Sequence, residues 1–178
     1  GEALTALTSQ LPLQRAADLA SPPRPKGGHW ELGSLRGRLT ELVGGADSAN
    51  VTLAVRLVLQ AQRAGDFAAW VATHRDVFFP PDFAAAGVDL AALPVVWAVP
   101  DSGTAARSAE RLLRSGAFGL IIIDLARDLR LSAASQGRLL RLAEHYDAQV
   151  LILRRRREDG AYSGSLVTVR AESSCEQI

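Results

Sequence analysis

The run Leu120-Ile-Ile-Ile123 constrains this chain more than any other feature, because consecutive apolar residues leave no strand face for water. A strand of that kind belongs in the middle of a parallel sheet covered by helices on both sides, and the Asp124 that ends it points to the sheet's carboxyl edge. Around it, short β-like runs alternate with amphipathic helical stretches. Strands are predicted over Arg38–Val43, Phe67–Ala72, Val95–Val99, Leu120–Asp124, Ala148–Leu153 and Ser165–Arg170, the last near a sheet edge, and helices over Val51–Arg63, Thr104–Ser115 and Ala134–Tyr146. Gly65 and Gly116 fall just past helical periods, where a left-handed residue is expected, and Ser102 and Thr104 offer N-cap oxygens. The fold class that follows is α/β, a mostly parallel twisted sheet flanked by helices.

A second set of expectations comes from composition. With 178 residues, 48% of them hydrophobic, and a formal charge of +1, the chain can form one compact domain with a sizeable core. Lys26 is the sole lysine, and because an arginine bias can reflect genome composition, it carries no binding argument. Cys175 stands alone, so no intrachain disulfide can form and a reducing, cytoplasmic setting is expected. No apolar run approaches the roughly 20 residues that span a bilayer, so no membrane partner is expected. Leu4–Ala20 has near-helical spacing and Ser21-Pro-Pro-Arg-Pro-Lys-Gly-Gly28 breaks it, which divides the chain into an N-terminal arm and linker at 1–31 and a core at 32–178. The opening Gly1 and the lack of methionine fit a trimmed chain whose native ends are not included.

In open α/β sheets ligands sit where strands end and helices begin, so the first strand, loop and helix deserve the closest reading. That loop is Gly44-Gly-Ala-Asp-Ser-Ala-Asn-Val-Thr52. A phosphate-binding loop needs glycine where backbone amides close on phosphate, then lysine for the outer phosphates, then a hydroxyl for magnesium. Ala49, Asn50 and Val51 occupy those places, and Thr52 keeps a hydroxyl one residue late. A glycine-rich turn before a helix is also commonly just a turn. Farther on, Arg154-Arg-Arg-Arg157 could hold phosphates or an acidic protein through bidentate contacts, or be a solvated turn, since Glu158 and Asp159 follow it and only Tyr162 offers an aromatic face. Trp30, Trp70 and Trp97 fall in or beside apolar segments and read as packing residues.

The stretches Gly37-Arg-Leu-Thr-Glu-Leu-Val-Gly44, Gln60-Ala-Gln-Arg-Ala-Gly65, Gly87-Val-Asp-Leu-Ala-Ala-Leu93, Pro100-Asp-Ser-Gly103 and Leu113-Arg-Ser-Gly116 before Ile121-Ile-Ile-Asp124 resemble RecA recombinases in order and spacing. The likeness covers 32–128 and continues more loosely through Ser165-Leu-Val-Thr-Val-Arg170. It implies a RecA-like core whose catalytic glutamate position falls at His74, whose magnesium-binding acid is Asp124 and whose adenine loop holds Asp101. The bland readings are a loop histidine at His74 and, at Asp124, a strand-end acid capping nearby amides. Loss of lysine, hydroxyl and glutamate, together with shortened DNA-binding stretches, resembles the ImuA group of accessory proteins in bacterial mutagenic translesion synthesis. That resemblance implies a non-catalytic protein of the DNA-damage (SOS) response, without a cofactor or metal. Its expected partners are RecA, an ImuB-type inactive Y-family polymerase and an error-prone replicative-type polymerase, with DNA a weaker candidate. The alternatives are a division inhibitor of RecA-like outline, a residual nucleotide binder in which Arg56 or an arginine from elsewhere supplies the missing cation, and a DNA-binding module using Arg154–Arg157.

Overall fold

The computed structural model describes residues 31–45, 48–75, 78–99, 101–126, 129–155 and 166–173. Its order is α1 (Leu32–Leu35), β1 (Leu39–Gly44), α2 (Asn50–Arg63), β2 (Phe67–Ala72), α3 (Pro80–Ala85), a 3-10 turn (Leu90–Ala92), β3 (Val95–Trp97), α4 (Ser102–Arg114), β4 (Phe118–Asp124), α5 (Ala133–His145), β5 (Gln149–Arg155) and β6 (Val169–Ser173). The six strands form one sheet in the order β3-β2-β4-β5-β1-β6, every neighbouring pair parallel. This is the α/β architecture expected from the alternation of elements.

Leu120, Ile121, Ile122 and Ile123 are all fully buried. Because side chains alternate along a strand, Leu120 and Ile122 join the layer under α2, with Leu57, Val58 and Trp70, while Ile121 and Ile123 join the layer under α4 and α5, with Ala105, Ala109, Leu113 and Leu139. Each such side chain contributes about 1.5–3 kcal/mol by leaving water, so a charge anywhere in the run would be severely destabilising. The two layers differ in grain. The α2 side is filled by large rings, Trp70 against Phe83 with centroids 5.1 Å apart, whereas the alanines of α4 let that helix approach the sheet closely.

Helix ends follow local chemistry with one correction. Gly65 and Gly116 adopt φ of 80° and 68°, as their positions after helices require. Neither Ser102 nor Thr104 caps α4. Asp101 does, its carboxylate accepting from the amides of Gly103 at 2.9 Å and Thr104 at 2.8 Å, because a carboxylate one residue before the helix reaches both orphan N–H groups. The last strand also begins later than its alternation predicts. The Thr168 hydroxyl donates to the Leu39 carbonyl and accepts from the Leu39 amide, and the regular ladder starts one residue on, with Val169 opposite Thr40. β3 is shorter than expected, ending at Trp97 before a turn closed by the Asp101 amide on the Ala98 carbonyl. Sequence periodicity passed over α1, α3 and the 3-10 turn, each too short to show a full period.

Helices leave the sheet on opposite faces at its carboxyl edge, α2 after β1 on one side and α5 after β4 on the other. The ends of β1, β5 and β4 therefore border a crevice. The predicted arm at Leu4–Ala20, its linker, Trp30, Arg156, Arg157, Tyr162 and Cys175 lie outside the described residues.

Candidate functional site at the carboxyl edge of the sheet

The chain after β1 turns back on the strand it has just left. A methyl group on Gly44 would stand 2.2 Å from the Ser48 Cβ and 2.8 Å from the Asn50 Oδ1, so this position is glycine because of close approach and not because of φ. The Ser48 amide donates to the Gly45 carbonyl at 3.3 Å, and α2 starts after Ala49, which has no side-chain oxygen to cap it. Asn50 is buried, and its Nδ2 donates to the main-chain carbonyls of Arg154 at 3.0 Å and Leu42 at 3.4 Å. One side-chain amide thus ties the ends of β1 and β5 together. Val51 lines the remaining space, which is a cavity of about 70 Å³ bordered also by Ser48, Asp124 and Arg155. Thr52, one residue late for the metal-binding place, is exposed on α2 and does not line this cavity, and neither does Arg56.

Across the cavity, β2 and β4 end in a second polar arrangement. The Thr73 amide and hydroxyl both donate to the Asp124 carbonyl, at 3.0 Å and 3.1 Å, and the Ala126 amide donates to the Thr73 hydroxyl at 2.7 Å. His74 follows, largely buried, with Nε2 3.2 Å from the Asp124 Oδ1. The expected loop histidine is in a loop and has a buried carboxylate as its partner. The bland reading of Asp124 fails in its detail, since this carboxylate meets an imidazole and not backbone amides. Its second oxygen, Oδ2, is buried with no hydrogen-bond partner among the described residues.

Of the arginine run, Arg154 and Arg155 lie among the described residues, and these two do not stand together on the surface. Arg154 and Arg155 are the last residues of β5, and alternation sends them to opposite faces. Arg154 is 4% exposed, its Nη1 donating to Glu41 Oε1 at 2.9 Å, while Arg170 on β6 donates through Nε to Glu41 Oε2 at 2.9 Å. Arg155 is exposed beside the cavity. Glu41, fully buried at the centre of β1, is the residue that sequence reasoning missed. A lone acid inside the apolar stretch Leu39–Val43 was the available signal, since a buried carboxylate needs a cation.

Asp101 stands apart from the crevice walls. Its carboxyl is held below the usual carboxylate range, first by the Thr104 hydroxyl and then by the Gly103 and Thr104 amides, with Arg107 adding to the effect. Of the tryptophans, Trp70 is core, whereas Trp97 is 41% exposed with the Arg75 guanidinium 5.3 Å from its ring. Among the described residues no group of three or more histidine, cysteine or acidic side chains could hold a metal ion, and no helix is long and apolar enough to cross a membrane.

Comparison with known proteins agrees with this geometry. Over 136 residues the chain is 35% identical to the protein RecA of a Nocardioides species, covering 75% of this chain and 38% of that protein. It is 38% identical over 133 residues to RecA of Chlorobaculum tepidum, covering 73% of this chain and 37% of that protein, and 39% identical over 106 residues to RecA of Kineococcus radiotolerans, covering 58% and 29%. The chain therefore spans less than two fifths of the length of these relatives. The family model of the RecA N-terminal domain matches residues 31–156, and the chain belongs to that family.

Proposed function

We propose that this RecA-like domain is a non-catalytic accessory protein of the DNA-damage response, acting in translesion mutagenesis through its surfaces. The observation that carries the reading is Asn50. In the place that resemblance assigns to the phosphate-binding lysine, its amide is spent on the carbonyls of Leu42 and Arg154. A magnesium-bound triphosphate does not fit the residues around it. Val51 brings no oxygen, His74 already engages Asp124, and a cavity of about 70 Å³ is far below the ~300 Å³ at which small-molecule pockets begin. An intact frame around such a loop supports a protein kept for binding. Following the ImuA resemblance, the proposed partners are RecA, an ImuB-type inactive Y-family polymerase and an error-prone replicative-type polymerase.

The test is a pull-down of the full-length protein against purified RecA, with and without DNA and ATP, and against the polymerase components. Capture of either supports the proposal, and failure with all of them overturns it. Isothermal calorimetry with magnesium and ATP addresses catalysis separately. Saturable binding would favour residual nucleotide recognition, for which the unpartnered Asp124 Oδ2 and the neighbouring Arg155 are the supporting features.

A further inference from the structure

On the face of the sheet opposite α2, the C-terminal halves of α4 and α5 border an open cleft of about 700 Å³ lined by Arg114, Arg138, Arg141, Leu142, His145 and Tyr146. Positions 107, 111 and 114 on α4 recur at helical spacing, as do 138, 141 and 145 on α5, so each helix presents a row of basic side chains along one face. Last-turn placement against the helix dipole accounts for Arg111, Arg114 and His145, and Arg107 pairs with Asp101 at 3.5 Å, which leaves Arg138 and Arg141. The acid between the rows is Glu110, whose buried carboxylate takes Arg138 at 2.7 Å and Arg114 at 3.6 Å. Arg111 and Arg141 are exposed and make no ion pair among the described residues. At the end of the cleft Tyr146 is 37% exposed, its ring packed edge-on against His145 with centroids 4.7 Å apart.

We infer that this cleft docks an acidic segment of a partner protein that also carries an apolar side chain. Charge complementarity gives the sign, and Glu110 shows within the fold that these guanidiniums receive a carboxylate. Leu142 and the exposed edge of Tyr146 give the second element, an apolar floor that phosphates do not need. The positive charge is local, because the whole chain has a net charge of +1 and a pI of about 8.2, below the value above 9 that marks a nucleic-acid-binding domain.

The experiment uses the full chain and a fluorescein-labelled peptide of alternating glutamate and aspartate around a central Leu-Phe pair, read by anisotropy at low salt. Three controls accompany it: the same peptide with Ala-Ala at its centre, an oligothymidylate, and the double variant Arg114→Ser/Arg141→Ser. The Leu-Phe peptide is expected to bind at least fivefold more tightly than the Ala-Ala peptide, and the double variant to lose at least fivefold. In the wild-type chain the ring resonances of His145 and Tyr146 shift on adding peptide, which keeps the test decisive if the double variant does not fold. Equal binding by folded wild type and variant, unshifted rings, or an oligonucleotide that competes for the rings while the peptide does not would overturn the inference.

Discussion

Two carboxylates in the same sheet, Glu41 on β1 and Asp124 at the end of β4, have opposite circumstances. Glu41 is fully buried and both its oxygens are taken, one by Arg154 and one by Arg170. Asp124 is nearly as buried, yet one oxygen meets His74 and the other has no hydrogen-bond partner among the described residues. The first joins β5, β1 and β6 through a carboxylate with both oxygens used, although the Arg154 Nε beside it is buried without a hydrogen-bond partner among the described residues. The second borders a small cavity with one acceptor unfilled among the described residues. The difference separates a buried acid that ties three strands together from one that borders the crevice.

Breaking the Glu41 junction should have the largest effect. Glu41→Gln leaves the buried Arg154 without a counter-charge, a loss of about 3–5 kcal/mol, comparable with the whole stability of many domains at ~5–15 kcal/mol. Urea unfolding would read it. The double variant Glu41→Leu/Arg154→Met should recover most of that loss, because removing both partners leaves no uncompensated charge; a double variant as unstable as the single one would mean that this pair is not the cause.

Next in size is Asn50→Ala, which removes the buried side-chain donor shared by the Leu42 and Arg154 carbonyls and should cost about 1–3 kcal/mol in the same assay. Asn50→Lys should also be destabilising, since an ammonium there must displace the bridge between β1 and β5, and it should not confer ATP hydrolysis while Val51 and His74 remain. A stable, ATP-hydrolysing Asn50→Lys variant would contradict the structural role given to Asn50.

The open carboxylate predicts an ordering rather than a single number. His74→Ala removes the one side-chain partner that Asp124 has among the described residues and should be more destabilising than Asp124→Asn, which removes a poorly compensated charge and should stay within about 1 kcal/mol of wild type. The reverse order in thermal melts would show that Asp124 is satisfied in some other way. The smallest effect is at Asp101. Its carboxyl is held low in the folded chain, so its contribution is present above the unfolded-state value and disappears as pH falls through the folded value. Asp101→Asn keeps a capping oxygen and should match wild type near pH 7, while the difference between melts at about pH 3 and pH 7 becomes smaller than in wild type.

Much of the frame was legible because it is written in local periods. β2 was read with its observed ends, and α2, β4 and α5 lie within a few residues of their expected positions. That Asn50, Val51 and His74 fall where the resemblance places a lysine, a hydroxyl and a glutamate was readable from residue types alone. Within the arginine run Arg154 faces inward and Arg155 outward, and four like residues in a row carry no sign of which will do so.

By itself the sequence determined that Leu120–Ile123 must be covered on both faces, that glycine must follow α2 and α4, and that the first loop lacks the side chains of a phosphate site. Only the tertiary structure decided that Asn50 meets Arg154 across 104 residues, that His74 meets Asp124 across 50 and that Arg154 meets Glu41 across 113. Helical and strand periods are set by neighbours along the chain. Which buried polar group finds which partner is set by strand order and register, and no local pattern encodes either.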